Sequence, residues 1–75
     1  MIYGDKKHLS IASYPDMWER TISCYSSGKT FSCTGWRLGF AIGPENLIKP
    51  VIAVQNWGTF CVSTPTQVIE NLIVP

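Results

Sequence analysis

One lysine and one arginine stand eight positions apart in the stretch "YSSGKTFSCTGWRLGF", Tyr25 to Phe40, among small, hydroxyl and aromatic residues. Three kinds of chemistry suit Lys29 in "SSGKT". A nucleotide-phosphate loop of the form GxxxxGK[ST] would need a glycine five positions before Gly28. Ser23 stands there, so the backbone that wraps phosphates is missing. A polar turn between two strands, with Lys29 exposed, accounts for the loop composition alone. A nucleophilic lysine accounts for more of the residues. Schiff-base chemistry asks for an amine in a crowded, mostly uncharged site, which favours its neutral form. Ser27 and Gly28 are small enough to leave room for a flat ring against the backbone. Ser26 offers a hydroxyl to a phosphate, and Arg37 a permanently charged fork for bidentate binding. One amine, one cation and one hydroxyl form the donor set that a phosphorylated aldehyde requires.

These residues must be positioned by the elements around them, and the pattern is α/β. "TISCYS" (Thr21 to Ser26) is rich in β-branched and aromatic residues, which predicts a buried strand. "SGKTFSCTG" is too rich in Gly, Ser and Thr for a regular element and reads as a loop. "WRLGFAIG" (Trp36 to Gly43) alternates as a second strand carrying Arg37, with Gly39 permitting close backbone approach. Before them, "MIYGDKKHLSIASYP" gives an apolar edge and a Gly-Asp turn, and "PDMWER" (Pro15 to Arg20) one or two helical turns.

After the second strand, Pro44 and Glu45 open a helix with an apolar face at Leu47, Ile48, Val51 and Ile52. Pro50 falls inside it and predicts a kink or a late start. "GTFCVSTPTQ" is a loop or short extended piece ending at Pro65, and "TQVIENLIV" begins another helix that breaks at Pro75.

Bulk composition narrows the function classes. With 75 residues the chain is at most one small domain, yet it is 45% apolar and only 15% charged, against roughly 25% charged in ordinary domains. A small free-standing domain has much surface and should be more charged than average. The chain therefore reads as part of a larger core, a fragment or truncated gene product. Net charge is +1 with no basic stripe, which argues against nucleic acid. Runs such as "VIAV" are too short to span a membrane, and the N-terminus has no signal-peptide pattern. Cys24, Cys33 and Cys61 are odd in number, without a CxxC pair, and His8 is the lone histidine. This argues against a disulfide framework or a structural metal site and for buried thiols in a reducing compartment. The cytosol is the expected location, with a mitochondrial one also compatible.

The stretch "SSGKTFSCTGWRLGFAIGP" resembles the lysine motif of the fold-type-I aminotransferases, which use pyridoxal 5′-phosphate. The pattern S-x-x-K-x-x-x-x-x-G-x-R-x-G is matched in full by Ser26, Lys29, Gly35, Arg37 and Gly39. With "PDMWERT" before it, the chain resembles the kynurenine/glutamine aminotransferases and cysteine-S-conjugate β-lyases over residues 2–68. The resemblance implies part of a large cofactor-binding domain with a mixed central sheet flanked by helices, spanning residues 1–75 and incomplete at both ends. It implies that Lys29 holds pyridoxal phosphate covalently and later shuttles a proton between substrate Cα and cofactor C4′, while Ser26 and Arg37 hold the phosphate. It implies an amino-group transfer between an amino acid, such as kynurenine, glutamine or an aromatic one, and a 2-oxo acid, in a homodimer. The segment "NWGTFCVSTPTQ" resembles one that lines the substrate pocket across that dimer interface, with Phe60 as its aromatic contact. An ordinary core phenylalanine is the alternative reading of that residue.

The family's aspartate for the pyridine nitrogen and its neighbouring tyrosine would fall before Met1. The N-terminal phosphate-loop and ring-stacking residues and the carboxylate-binding arginine are also outside this sequence. Asp5 sits in a turn and does not replace the aspartate. Trp36 is expected to pack and His8 to lie on the surface. The competing function is a truncated, non-catalytic copy or an interaction fragment of such an enzyme.

Overall fold

Residues 2–73 are described by a computed structural model of the chain. The lysine segment is held in a hairpin. Strand β1, Ser23–Ser26, pairs antiparallel with β2, Gly39–Ile42, in the register Ser23↔Ile42, Cys24↔Ala41, Tyr25↔Phe40 and Ser26↔Gly39. That register sets two aromatics opposite each other. The Tyr25 and Phe40 rings stack with centroids 5.1 Å apart, a cross-strand pair that contributes about 0.5–1.5 kcal/mol beyond its buried area. Gly39 is required by the same register, because a Cβ there would lie 2.6 Å from the Tyr25 carbonyl oxygen. Within this chain the hairpin is largely exposed, not buried as its composition predicts.

Both strands are shorter than the sequence pattern suggests. Thr21 ends a 3-10 turn, Trp18–Arg20, and its hydroxyl donates to the Met17 carbonyl, so extended pairing starts only at Ser23. Asp16 has φ +60, which places it and Pro15 outside any helical turn. At the second strand, Trp36 closes a 3-10 turn, Thr34–Trp36, and Arg37 caps it in the left-handed region at φ 54. Arg37 is thus a turn residue ahead of β2 and not a strand residue.

The Gly/Ser/Thr-rich stretch is more ordered than a loop. It contains a single helical turn, α1, Ser27–Thr30, started by Ser26, whose Oγ accepts from the Gly28 N–H at 3.3 Å. A serine at that place satisfies a donor that the turn cannot, which is why hydroxyl residues favour it. The Phe31 N–H to Ser27 carbonyl bond (3.0 Å) and the Cys33 N–H to Gly28 carbonyl bond (2.9 Å) close the turn.

Helix α2, Glu45–Gly58, starts after Pro44 and continues through Pro50, so the late start does not occur. A Lys49–Glu45 ion pair at 2.6 Å braces the turn before the proline; both side chains are exposed, which limits the pair to about 0.3–0.5 kcal/mol. Helix α3, Thr64–Ile73, carries Pro65 in its first turn, where a missing N–H costs nothing. The expected break at Pro75 lies outside the described residues. A further 3-10 turn, Ile11–Ser13, has no counterpart in the sequence reading, while the Gly4-Asp5 turn forms as expected with Gly4 at φ +71.

Little of this chain is enclosed. Among the described residues Leu38 is the one buried apolar side chain, 7% exposed, and Ser27 the one buried polar side chain, 6% exposed. The accessible surface is 6568 Å² and the radius of gyration 14.7 Å. A compact protein of this mass would expose about 4,600 Å² with a radius near 11 Å. The outcome is a set of α/β elements gathered around one hairpin.

Candidate functional site

The hairpin mouth forms a cleft of about 290 Å³. Ser26, Lys29 and Arg37 all line it, together with Gly28, Thr34 and Leu38. Each arrives by a different element: Ser26 at the end of β1, Lys29 in α1, and Arg37 at the end of the Thr34–Trp36 turn. Because β1 and β2 pair up to Ser26↔Gly39, the chain must leave and re-enter the sheet at the same place. Lys29 and Arg37 are carried back to one opening for that reason.

Charge in the cleft has one sign. Among the described residues the ion pair is the remote Lys49–Glu45, and no carboxylate lines the opening beside Lys29 and Arg37. Both cations are exposed. Arg37 makes one long hydrogen bond, Nη1 to the Thr34 carbonyl at 3.4 Å, which turns its head toward the turn it caps. Its left-handed backbone is a costly conformation for a residue with a Cβ, roughly 1–3 kcal/mol, and such outliers concentrate at functional sites. Two cations, a hydroxyl and no acid suit a ligand that carries a phosphate dianion. A primary amine in the same cleft adds the group that an aldehyde needs. The donor set is chemically compatible with pyridoxal phosphate, which carries both a phosphate and an aldehyde.

Gly28 lines the cleft, and a Cβ there would sit 3.2 Å from the Thr34 Cα, so α1 rests close against the following turn. Ser27 does not border the cleft. Its hydroxyl turns inward and donates to the Leu38 carbonyl at 3.0 Å. Thr34 was not foreseen; it lines the cleft and its hydroxyl donates to the Gly28 carbonyl at 3.4 Å. The signal available was its place in "CTGW", a hydroxyl beside a glycine where the chain must turn back.

Phe60 lies away from this cleft. It follows α2 with φ +66, its N–H bonded to the Gln55 carbonyl at 2.8 Å, and its side chain is 76% exposed, so it is not a core residue of this chain. Trp36 is also exposed, against the expectation that it packs. Cys24 and Cys61 are exposed thiols and Cys33 is half-buried, so none is a fully buried one. Asp5, in the Gly4-Asp5 turn, and His8, in the stretch after it, are both exposed. Among the described residues no three His, Cys, Asp or Glu side chains gather as metal ligands, and no helix is long and apolar enough to cross a membrane.

Comparison with known proteins establishes the family. The family described as aminotransferase class I and II matches residues 1–73. Human kynurenine–oxoglutarate transaminase 3 is 52% identical over 67 residues, 89% of this chain and 15% of that protein. Human kynurenine–oxoglutarate transaminase 1 is 45% identical over the same length, and the Dictyostelium discoideum kynurenine–oxoglutarate transaminase 46%. The chain spans about 15% of the length of these relatives. A matched family over nearly the whole chain and a cleft built from the motif's own residues lead to one conclusion: this chain belongs to the class I and II aminotransferases.

Proposed function

We propose that the chain is the cofactor-lysine region of a pyridoxal-phosphate-dependent aminotransferase that moves an amino group between an amino acid and a 2-oxo acid. The observation that carries this reading is the convergence of Ser26, Lys29 and Arg37 on one cleft free of carboxylates. Its setting would be the large α/β domain of the family, with residues 1–75 supplying part of a mixed central sheet and its flanking helices. The similarity to proteins named kynurenine–oxoglutarate transaminases supports kynurenine as donor and a 2-oxo acid as acceptor, while glutamine or another aromatic donor rests on the motif resemblance alone.

Pyridoxal phosphate, when bound, supplies an electron sink for the substrate's Cα. The chain's own residues divide the remaining work. Ser26 Oγ would donate to the phosphate, and Arg37 would anchor it by charge and two N–H groups. Lys29 would hold the aldehyde carbon covalently through Nζ and, once released by the substrate amine, carry a proton on the same atom. Exposed Trp57 and Phe60, around the end of α2, support an intersubunit face of a homodimer, with Phe60 toward the partner's substrate. The free thiols suit the cytosol.

Borohydride reduction of the intact protein loaded with cofactor, followed by peptide mapping, tests the assignment. The pyridoxyl group is expected on Lys29. Finding it on Lys6, Lys7 or Lys49 would sink the proposal.

A further inference from the structure

Ser27 is the one buried polar side chain among the described residues, yet it neither lines the cleft nor belongs to the phosphate set. Its hydroxyl reaches across eleven positions to the Leu38 carbonyl at 3.0 Å. The register explains what that bond does. Backbone pairing ends at Ser26↔Gly39, and the next two residues outward are Ser27 and Leu38. There the arms part, one into α1 and the other into the turn that ends at Arg37. The Ser27 side chain therefore extends the ladder by one rung where the backbone no longer can. One end of the rung is two residues from Lys29, and the other belongs to Leu38, the residue that follows Arg37.

On its far side α1 is held by different bonds. Cys33 Sγ donates to the Ser27 carbonyl at 3.6 Å and Thr34 Oγ1 to the Gly28 carbonyl at 3.4 Å. Both tie α1 to the start of the next turn, and neither constrains Leu38. Arg37 itself holds a left-handed backbone at φ 54 as the cap of the Thr34–Trp36 turn. Leu38, the next residue, is buried and bonded through its carbonyl to Ser27, so the chain just after Arg37 is tied to the start of α1.

We propose that Ser27 is a positioning residue that fixes Arg37 relative to Lys29, so that amine and guanidinium are spaced for one phosphorylated aldehyde. The inference rests on the aminotransferase reading above. Its signature is dependence on Arg37, because a hydroxyl that works by placing the guanidinium has nothing to place once that group is gone.

The experiment is a double-mutant cycle in the intact protein, reading equilibrium affinity for pyridoxal phosphate by absorbance or fluorescence titration. Ser27→Ala is expected to weaken binding about 3- to 10-fold, the scale of one neutral hydrogen bond, and Ser27→Cys, which keeps a weaker donor, by less. In an Arg37→Ala background the same Ser27→Ala change is expected to cost under about 2-fold. Equal losses in both backgrounds would show a general structural role and overturn the proposal, as would no loss in the unsubstituted background. Melting curves of each variant keep every titration below its unfolding range, and Ser27→Cys carries the comparison if Ser27→Ala does not fold. The aminotransferase reading fails by a different result, borohydride placing no pyridoxyl group on Lys29 of the unsubstituted protein, and the positioning role then falls with it.

Discussion

Two adjacent serines of the same composition and opposite fate mark the limit of residue-level reading. Ser26 opens on the cleft and Ser27 turns into the core, and only the ending of strand pairing between them decides which is which. Lys29 and Arg37 stand out in the sequence because charge is scarce there: they are the two charged side chains between Tyr25 and Phe40, whereas Ser26 is one of several hydroxyls and is singled out by its place three residues before Lys29. If the two cations divide their roles, their loss should be felt differently. Lys29→Ala should retain pyridoxal phosphate by its phosphate contacts, while borohydride fixes none to the chain and transamination falls by many orders of magnitude. Arg37→Ala should still fix cofactor at Lys29 but bind it about 10- to 150-fold more weakly, from the loss of a charge-assisted bond of roughly 1.5–3 kcal/mol, and added cofactor should restore part of the turnover. Alanine at Asp5 or His8 should leave turnover within a few-fold. A loss near 100-fold at either, the scale of a general acid or base, would place the chemistry elsewhere.

At the scale of elements, the strands, α2 and α3 were legible and their borders were not. The alternation in "WRLGFAIG" cannot reveal that Arg37 takes a left-handed turn, because a positive φ at a residue with a Cβ is imposed by its neighbours. Likewise, "SGKTFSCTG" has the composition of a loop, and α1 forms because Ser26 caps it and later backbone groups close it. Pro50 reads in the sequence as a kink or a late start; the late start does not occur, because α2 begins at Glu45 and runs through the proline with one hydrogen bond fewer. Two substitutions should then act in opposite directions on the melting temperature of the intact protein. Pro50→Ala should stabilise it, by about 1–3 kcal/mol, since the proline serves no helical geometry. Gly39→Ala should destabilise it by at least a comparable amount, because a methyl group 2.6 Å from the Tyr25 carbonyl oxygen forces the register apart. A neutral Gly39→Ala would mean that β1 and β2 do not pair as described.

The whole molecule is defined by what it fails to enclose. Its surface exceeds the expectation for its mass by about 2,000 Å². Trp57, Val54 and Phe60 around the end of α2 and Leu72 on α3 all stand out in solvent. Low charge had already indicated a chain made for the interior of something larger, and composition could say no more, since it does not tell which faces are left uncovered. The 75-residue chain alone should therefore show no cooperative thermal transition by far-UV circular dichroism at micromolar concentration. A sharp melt from a monomer would show that these elements make a self-sufficient core.

The β1–β2 hairpin also has a kinetic meaning. Its two cations are joined by a short contour of chain, so their encounter needs only local loop closure and hairpin zipping, events of roughly 10–100 ns and 1–10 µs. An isolated two-stranded hairpin is marginal in water. The cleft should therefore be sampled early and often in folding, and become permanent only when later-arriving elements cover it. Amide exchange pulsed during refolding of the intact protein would then show the cross-strand amides of β1 and β2 protected transiently at first, and durably only in step with the α2 amides.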